Sequence, residues 1–259
     1  MPSLGVIGPL SRDVVAGSPP QIGGGPWHAA RALRALHQPA IVFTKCGDPS
    51  YRRLLATLGV PISFVLEGET TAFSMSYDER GVRTMHVDAI GDPWRAEEIS
   101  QNLLRRVEWL HVAPLLRGDF DAGLLEWLAR GRRHLLLDGQ GLVRRRATGV
   151  LVLDGDFDPD VLRHVTVLKL AEEEAAAIGD VSELGVPEVV VTFGAAGSRV
   201  ITPTAAVDVP AQRVRADPTG AGDAFSVAYA AARASGHRPV SAARRAAALV
   251  TALLGEQPR

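Results

Sequence analysis

The chain has 259 residues, 46% of them hydrophobic and 22% charged, with a formal net charge of −1. That length allows one large α/β domain or two small ones, and the composition is ordinary for a soluble globular protein. The balanced charge speaks against a nucleic-acid or membrane-surface partner, and no run approaches the roughly 20 apolar residues that span a bilayer. The single cysteine, Cys46, excludes an internal disulfide and thiolate metal clusters, and fits a cytoplasmic location.

In chain order, LGVIG (4–8) reads as a buried strand and AARALRALH (29–37) as a helix, through the spacing of Ala30, Leu33 and Leu36. AIVFTKCG (40–47) predicts a strand, and PSYRRLLATLG (49–59) a helix ended by a glycine. Such alternation predicts a doubly wound, mostly parallel sheet with helices on both faces. The stretch 70–89 breaks the rhythm. Phe73, Met75 and Tyr77 alternate with polar residues, a turn falls at Asp78–Gly81, and Val82, Thr84 and His86 alternate again. This predicts a small β flap at about 62–90 on a single domain, 1–259. Thr70, Thr71 and Ser74 are candidates to reach substrate hydroxyls, and the flap's exposed edge suits pairing into a homodimer.

Helices follow at about 94–107 and 119–130, before strands at 107–113 and 134–139. RRR (144–146) reads as a solvated face. VTVLKL (165–170) is a strand, AEEEAAAIG (171–179) a short helix with acid at its positive end, and VPEVVVTFG (186–194) a β-branched strand. SRVITP and AAVDVPA form a second hairpin, and 220–235 and 240–254 are alanine-rich helices.

The chemistry concentrates in DPTGAGDAF, 217–225. Gly220, Ala221 and Gly222 leave backbone N–H groups unshielded where a helix begins. Those donors and the helix dipole make an anion site suited to phosphate. A carboxylate beside that site, Asp223, is suited to take a proton from a hydroxyl that attacks phosphorus. With an ordinary carboxyl pKa near 3.9 it would take the proton late. No Walker-type G-x-x-x-x-G-K-[ST], G-x-G-x-x-G or G-x-S-x-G pattern occurs.

DPTGAGDAF resembles the C-terminal signature of the ribokinase-like, PfkB-type carbohydrate kinases. The resemblance implies an anion hole of Gly220, Ala221 and Gly222, with Asp223 as base. It runs through the chain in order. GVIGPLSRD (5–13) looks like a first strand ending in a substrate-binding aspartate, Asp13, with Ser11 where asparagine is frequent. QIGGGPWHAARALRAL (21–36) is similar to the family's glycine pair and helix, implying substrate contacts at Gly23, Gly24 and His28. LKLAEEEAA (168–176) resembles K-x-N-x-x-E through Lys169 and Glu174, but Ala171 replaces the asparagine. VVVTFGAAGSRV (189–200) resembles a nucleotide-side turn, implying donor contacts at Thr192, Gly194 and Gly197, alongside Thr219 and Lys169. Asp138, Gln140 and Arg144 in LDGQGLVRRR match a segment of the myo-inositol-kinase-like branch, implying Gln140 and Arg144 at the substrate.

The implied reaction is transfer of the γ-phosphoryl of ATP, with Mg²⁺, to a sugar or inositol-like polyol. Glu174 and Asp217 are the metal candidates; Asp217 could instead organise its loop or hold a monovalent cation. A nucleoside kinase is disfavoured by 5% aromatic content, the substrate side offering Trp27, Phe73 and Tyr77. A non-catalytic polyol or nucleotide sensor is the other alternative, with Ala171 in its favour and Asp223 against it.

Overall fold

The computed structural model describes residues 3–66, 68–77, 83–214 and 217–255. The first part of the chain forms β1 (Ser3–Pro9), β2 (Ser11–Val15), β3 (Gln21–Gly23), α1 (Gly25–Ala35), β4 (Ala40–Cys46), α2 (Ser50–Ala56), β5 (Ile62–Leu66), β6 (Thr71–Tyr77) and β7 (Arg83–Ala89). Next come α3 (Gln101–Leu104), β8 (Val107–Val112), α4 (Ala122–Ala129), β9 (His134–Asp138), α5 (Gln140–Val143) and β10 (Gly149–Val150). The remainder holds β11 (Val167–Ala171), α6 (Glu172–Ile178), β12 (Glu188–Thr192), β13 (Ser198–Thr202), β14 (Ala205–Val209), α7 (Ala221–Ala234) and α8 (Pro239–Gly255).

Nine strands form the main sheet in the order β14-β13-β12-β11-β9-β8-β1-β4-β5. Every pair from β12 to β5 is parallel, and β13 and β14 add an antiparallel hairpin at one edge. Parallel strands covered on both faces must be apolar on both, and β4 is buried along its whole length. One face packs Val6, Val42, Trp109, Leu136 and Val167 against α1, α7 and α8. The other packs Ile7, Phe43, Leu110, Leu137 and Leu168 with Leu124, Leu125 and Leu128 of α4.

The two-residue period of a strand then decides where the polar residues go. Two positions beyond Trp109, Leu136 and Val167 lie His111, Asp138 and Lys169, each on the α1/α7/α8 face and each buried. Three adjacent strands thus raise one polar side chain apiece at their C-terminal ends, the edge where open α/β sheets bind ligands.

A second sheet has the order β10-β7-β6-β2-β3. The β6–β7 hairpin is present, with Ala72 opposite Ala89 and Tyr77 opposite Arg83; the turn expected at Asp78–Gly81 and Val82 lie outside the described residues. The flap differs from the expectation of 62–90 in two ways. Ile62–Leu66 pairs with β4 in the main sheet. The flap instead recruits β2, which leaves the main sheet after Pro9 and runs parallel to β6. The segment from 94 to 107 is also not one helix: it holds a single 3₁₀ turn at Ala96–Glu98 and the four-residue α3. Buried Lys45 anchors it, donating to the Pro93 carbonyl at 2.8 Å and pairing with Glu98 at 2.9 Å. Lys45 rises from the strand that a sequence reading takes as apolar.

Candidate active site

The start of α7 is built by its own loop. The Asp217 carboxylate accepts hydrogen bonds from Thr219 N–H at 2.9 Å and Thr219 Oγ1 at 2.7 Å, which turns the chain toward the helix. Gly220 completes the turn with φ 78°, in the left-handed region that glycine tolerates best. One expectation is corrected here. Ala221 N–H is taken by the Pro218 carbonyl at 2.9 Å. The helix's open donors, without a partner among the described residues, are therefore the N–H groups of Gly222 and Asp223. They keep the anion-attracting character of a helix start, shifted by one residue.

The approach to Gly220 is closed by His28. A Cβ added to Gly220 would lie 2.4 Å from His28 Nδ1. Replacing Gly220 by alanine therefore combines a strained φ with a clash, a cost of about 1–3 kcal/mol. The expected outcome is a lower Tm in calorimetry and weaker donor binding, with His28→Ala relieving the clash and part of the loss.

Asp223 projects from the first turn of α7 among charged neighbours. Lys169, Asp138, Arg144 and Asp13 all act on it electrostatically. Burial, and next the negative charge of Asp138, push its carboxyl up to about 7. That lies above the ordinary value near 3.9 expected from sequence, in the neutral range where a general base is most effective. Lys169 Nζ stands 3.3 Å from Asp138 Oδ2, and a Cβ on Gly222 would lie 3.1 Å from that Nζ. The ammonium therefore sits directly beneath the helix's open donors. The pull of Asp138, Glu174 and Asp223 outweighs the burial of Lys169 and keeps it charged.

Glu174 is 4% exposed and its Oε2 accepts from Ala171 N–H at 2.7 Å. This is half of a capping box: Glu174 accepts the N–H of residue 171, while Ala171, in the asparagine's place, offers no side-chain acceptor to the helix in return. Glu172 and Glu173 are exposed. Thr192 ends β12 opposite Ala171, and its hydroxyl donates to the Leu170 carbonyl at 3.1 Å. Exposed Gly194 opens the turn beyond and buried Gly197 ends it, closed by Phe193 N–H to the Gly197 carbonyl at 2.8 Å. These donor-side residues lie at the same sheet edge, one strand over from Lys169.

On the substrate side, Asp13 lies on β2 of the flap, buried enough that its carboxyl is raised and its Oδ1 has no partner among the described residues. Gly23 is obligatory there, since a Cβ would fall 2.0 Å from Asp13 Oδ2. A Cβ on Gly25 would lie 2.8 Å from Asp223 Oδ1, so the glycine loop runs between the two aspartates. Gly24, with φ 95°, caps α1 and passes close to the Pro9 carbonyl. His28, held neutral chiefly by burial, faces Asp13 and Gly220. Gln140 N–H donates to Asp138 Oδ1 at 3.3 Å. Arg144 acts on Asp13, Glu174 and Asp223 together.

Three readings are corrected by these contacts. RRR is not a solvated face: Arg144 turns to the site, and Arg146 pairs with buried Asp119 at 2.5 Å and with the Gly91 carbonyl, leaving Arg145 exposed. The flap hydroxyls serve the fold: Thr70 and Thr71 accept from Gly47 and Gly91 N–H, each at 2.9 Å, and Ser74 donates to Asp88 at 3.0 Å. Phe73 is core of the second sheet and Trp27 packs on the main core; the Tyr77 side chain lies outside the described residues. Conversely, His111 was invisible in sequence. It reads as one more residue of a buried strand, and only the alternation Trp109–His111 hints at its face.

Four carboxylates, Asp13, Asp138, Glu174 and Asp223, share this site with two cations, Lys169 and Arg144. That excess of negative charge fits a divalent cation arriving with a phosphate donor. Glu174 is the residue that would hold it, through water in the manner usual for Mg²⁺. Asp217 is exposed and engaged with Thr219, which suits loop organisation.

A carboxylate beside open helix-start donors and a buried ammonium suits phosphoryl transfer to an alcohol. Residues 158–257 match the pfkB family carbohydrate kinase profile. No curated protein matches the chain in sequence. Among solved structures, a pyrophosphate-dependent kinase in the ribokinase family is 25% identical, over 97% of this chain and 95% of that one, with TM-score 0.82. A pyrophosphate-dependent kinase of that family complexed with a pyrophosphate analog and myo-inositol is 24% identical over 98% and 96%, TM-score 0.83. The ribokinase of Thermotoga maritima is 18% identical over 100% and 94%, TM-score 0.74, and so shares the fold. Residues 158–257 thus carry the pfkB carbohydrate-kinase match, and the whole chain shares the ribokinase-like fold. Among the described residues no helix is long and apolar enough to cross a membrane.

Proposed function

We propose that the chain transfers a phosphoryl group from a phosphoanhydride donor to a hydroxyl of a cyclic polyol of the inositol kind. The observation that carries this reading is the placing of Asp223: it stands in the first turn of α7 beside the open donors, within electrostatic reach of Asp13 and Arg144, with its carboxyl raised to about 7. Asp13 and Arg144 offer an acceptor and a donor to vicinal hydroxyls, as a polyol requires. The Gly23–Gly25 loop lets the ring approach Asp223. As the acceptor oxygen bonds to phosphorus, its proton passes to Asp223, and the bond from phosphorus to the donor's bridging oxygen breaks. The N–H groups of Gly222 and Asp223, with the Lys169 ammonium below them, stabilise the negative charge of the moving group. Magnesium at Glu174 would neutralise the donor's phosphates. The flap brings Asp13 over the site and excludes water.

ATP as donor is supported by the Thr192–Gly197 turn, which resembles a nucleotide-side loop. A second reading, pyrophosphate, is supported by the likeness to pyrophosphate-dependent kinases. Following ³¹P NMR of purified protein with each donor, Mg²⁺ and a panel of inositols, pentoses, hexoses and nucleosides tests both. A phosphomonoester of an inositol is the expected product, and the ratio of kcat/KM for the two donors assigns the donor. Turnover confined to nucleosides, or none with any acceptor, would sink the reading. Homodimer pairing through the open β3 or β10 edge of the flap is part of the proposal, and light scattering of the purified chain checks it.

A further inference from the structure

His111 has no role in the chemistry described so far. It is 1% exposed, and neither ring nitrogen has a hydrogen-bond partner among the described residues. Leaving an imidazole buried and unpaired is costly, so such a group calls for an explanation. One of its nitrogens, one oxygen of Asp138 and one oxygen of Asp223 all lie within 4.8 Å of one another. The imidazole thus looks into the space between the base and the aspartate that holds Lys169. Its strand neighbours on that face, Trp109 below it and Leu136 across from it, leave it no other polar partner.

We propose that His111 is a positioning residue for the base: its ring N–H takes up the Asp223 carboxylate as substrate binds, fixing which oxygen faces the incoming hydroxyl. The inference rests on the kinase reading above. Contacts of this kind are frequently long in the free enzyme and tighten with substrate. The ring acts as a neutral donor and not as a proton relay. Burial holds its own titration down to about 4, well below that of Asp223, so a proton received by Asp223 stays there. The groups facing Asp223 from each neighbouring element are His111 (β8), Asp138 (β9), Lys169 (β11), Asp13 (β2) and Arg144 after α5, with Glu174 (α6) acting through Lys169. Imidazole and two carboxylates would also suit a transition ion, but the Lys169 ammonium, 3.3 Å from Asp138, already supplies positive charge there.

The test compares wild type, His111→Phe and His111→Asn for kcat, polyol KM and the pH profile, together with a ¹³C NMR titration of the Asp223 carboxyl, assigned through Asp223→Asn and recorded with the protein saturated in polyol. His111→Phe is expected to lower kcat about 10- to 100-fold, with KM changed less than about threefold. The acid limb and the carboxyl titration should both move upward, because a donor to the charged form is lost. His111→Asn, which keeps an N–H, should recover part of each. Wild-type kcat and pH profile in His111→Phe would overturn the proposal, as would a lower Tm with an unshifted carboxyl titration. Binding of one equivalent of Co²⁺ that disappears in His111→Phe would overturn it too, assigning the ring to a metal. Should the phenylalanine variant not fold, His111→Leu carries the same comparison. Should wild type phosphorylate no acceptor, the kinase reading fails, and the ¹³C titration still decides whether His111 acts on Asp223.

Discussion

Asp223→Asn is expected to lower kcat about 10³-fold while changing donor affinity only a few-fold, the usual size of a general-base contribution. The amide keeps the backbone donors of Gly222 and residue 223 in place, so the anion site survives and only the proton acceptor is lost. Rapid-quench turnover and donor titration of the purified variant measure the two quantities separately. Near-normal kcat in the variant would remove Asp223 from the role. In the wild type, kcat/KM should climb with pH through about 7 as the carboxyl ionises and then level off.

The same group makes stability depend on pH. The folded carboxyl titrates near 7 and the unfolded one near 3.8, so the folded state holds the proton more tightly. Its stabilising effect is complete below about pH 4 and is lost as the pH rises to about 7. Asp223→Asn escapes that loss. The variant should melt at a higher temperature than wild type, with the gap widening from pH 5 to pH 8 and constant above. An inactive but more stable variant is the signature of a residue kept for function against its folding cost.

Lys169→Met is expected to have the largest effect on stability. Lys169 and Asp138 are both almost fully buried and paired at 3.3 Å. Removing one partner leaves Asp138 and Glu174 as uncompensated buried charges, at a cost of about 3–5 kcal/mol. For a chain of this size that lowers Tm by roughly 10 °C, which scanning calorimetry reads directly. Lys169 also lowers the titration of Asp223, so its loss should carry the acid limb of kcat/KM upward. Adding Asp138→Asn should restore part of the stability, because the unpaired charge is gone, and none of the activity, because the cation under the anion site is still missing. An unchanged Tm in the single variant would show that the pair contributes nothing.

Much of the fold was legible because its signals are local. The β-branched run EVVVT and the apolar run AIVFT could only be buried strands, and the alanine-rich segments after Gly220 and Pro239 only helices. The 94–107 segment misled because its apolar residues permit one helix, whereas a break at Ile99–Ser100, beside Glu98 held by Lys45 of β4, leaves only two short helical turns. The flap's extent was obscured for a similar reason. Nothing in ISFVL distinguishes a strand beside β4 from one in a separate hairpin.

At the site the division is sharper. TGAGD alone pointed to a helix start with open donors and a carboxylate beside them, because glycine sterics, orphan N–H groups and the helix dipole act within a few residues. Asp13, the glycine loop, Lys169 and Arg144 were visible as pieces. Only the tertiary structure decided that Ala221 N–H is used internally, that Arg144 leaves the arginine run to face Asp13 and Asp223, and that His111, Asp138 and Lys169 stand side by side under α7. Apart from the local Ala221–Pro218 bond, those outcomes follow from strand register and from which face each strand turns to the helix. Such relations link residues 27 to 131 positions apart, and no local pattern along the chain encodes them.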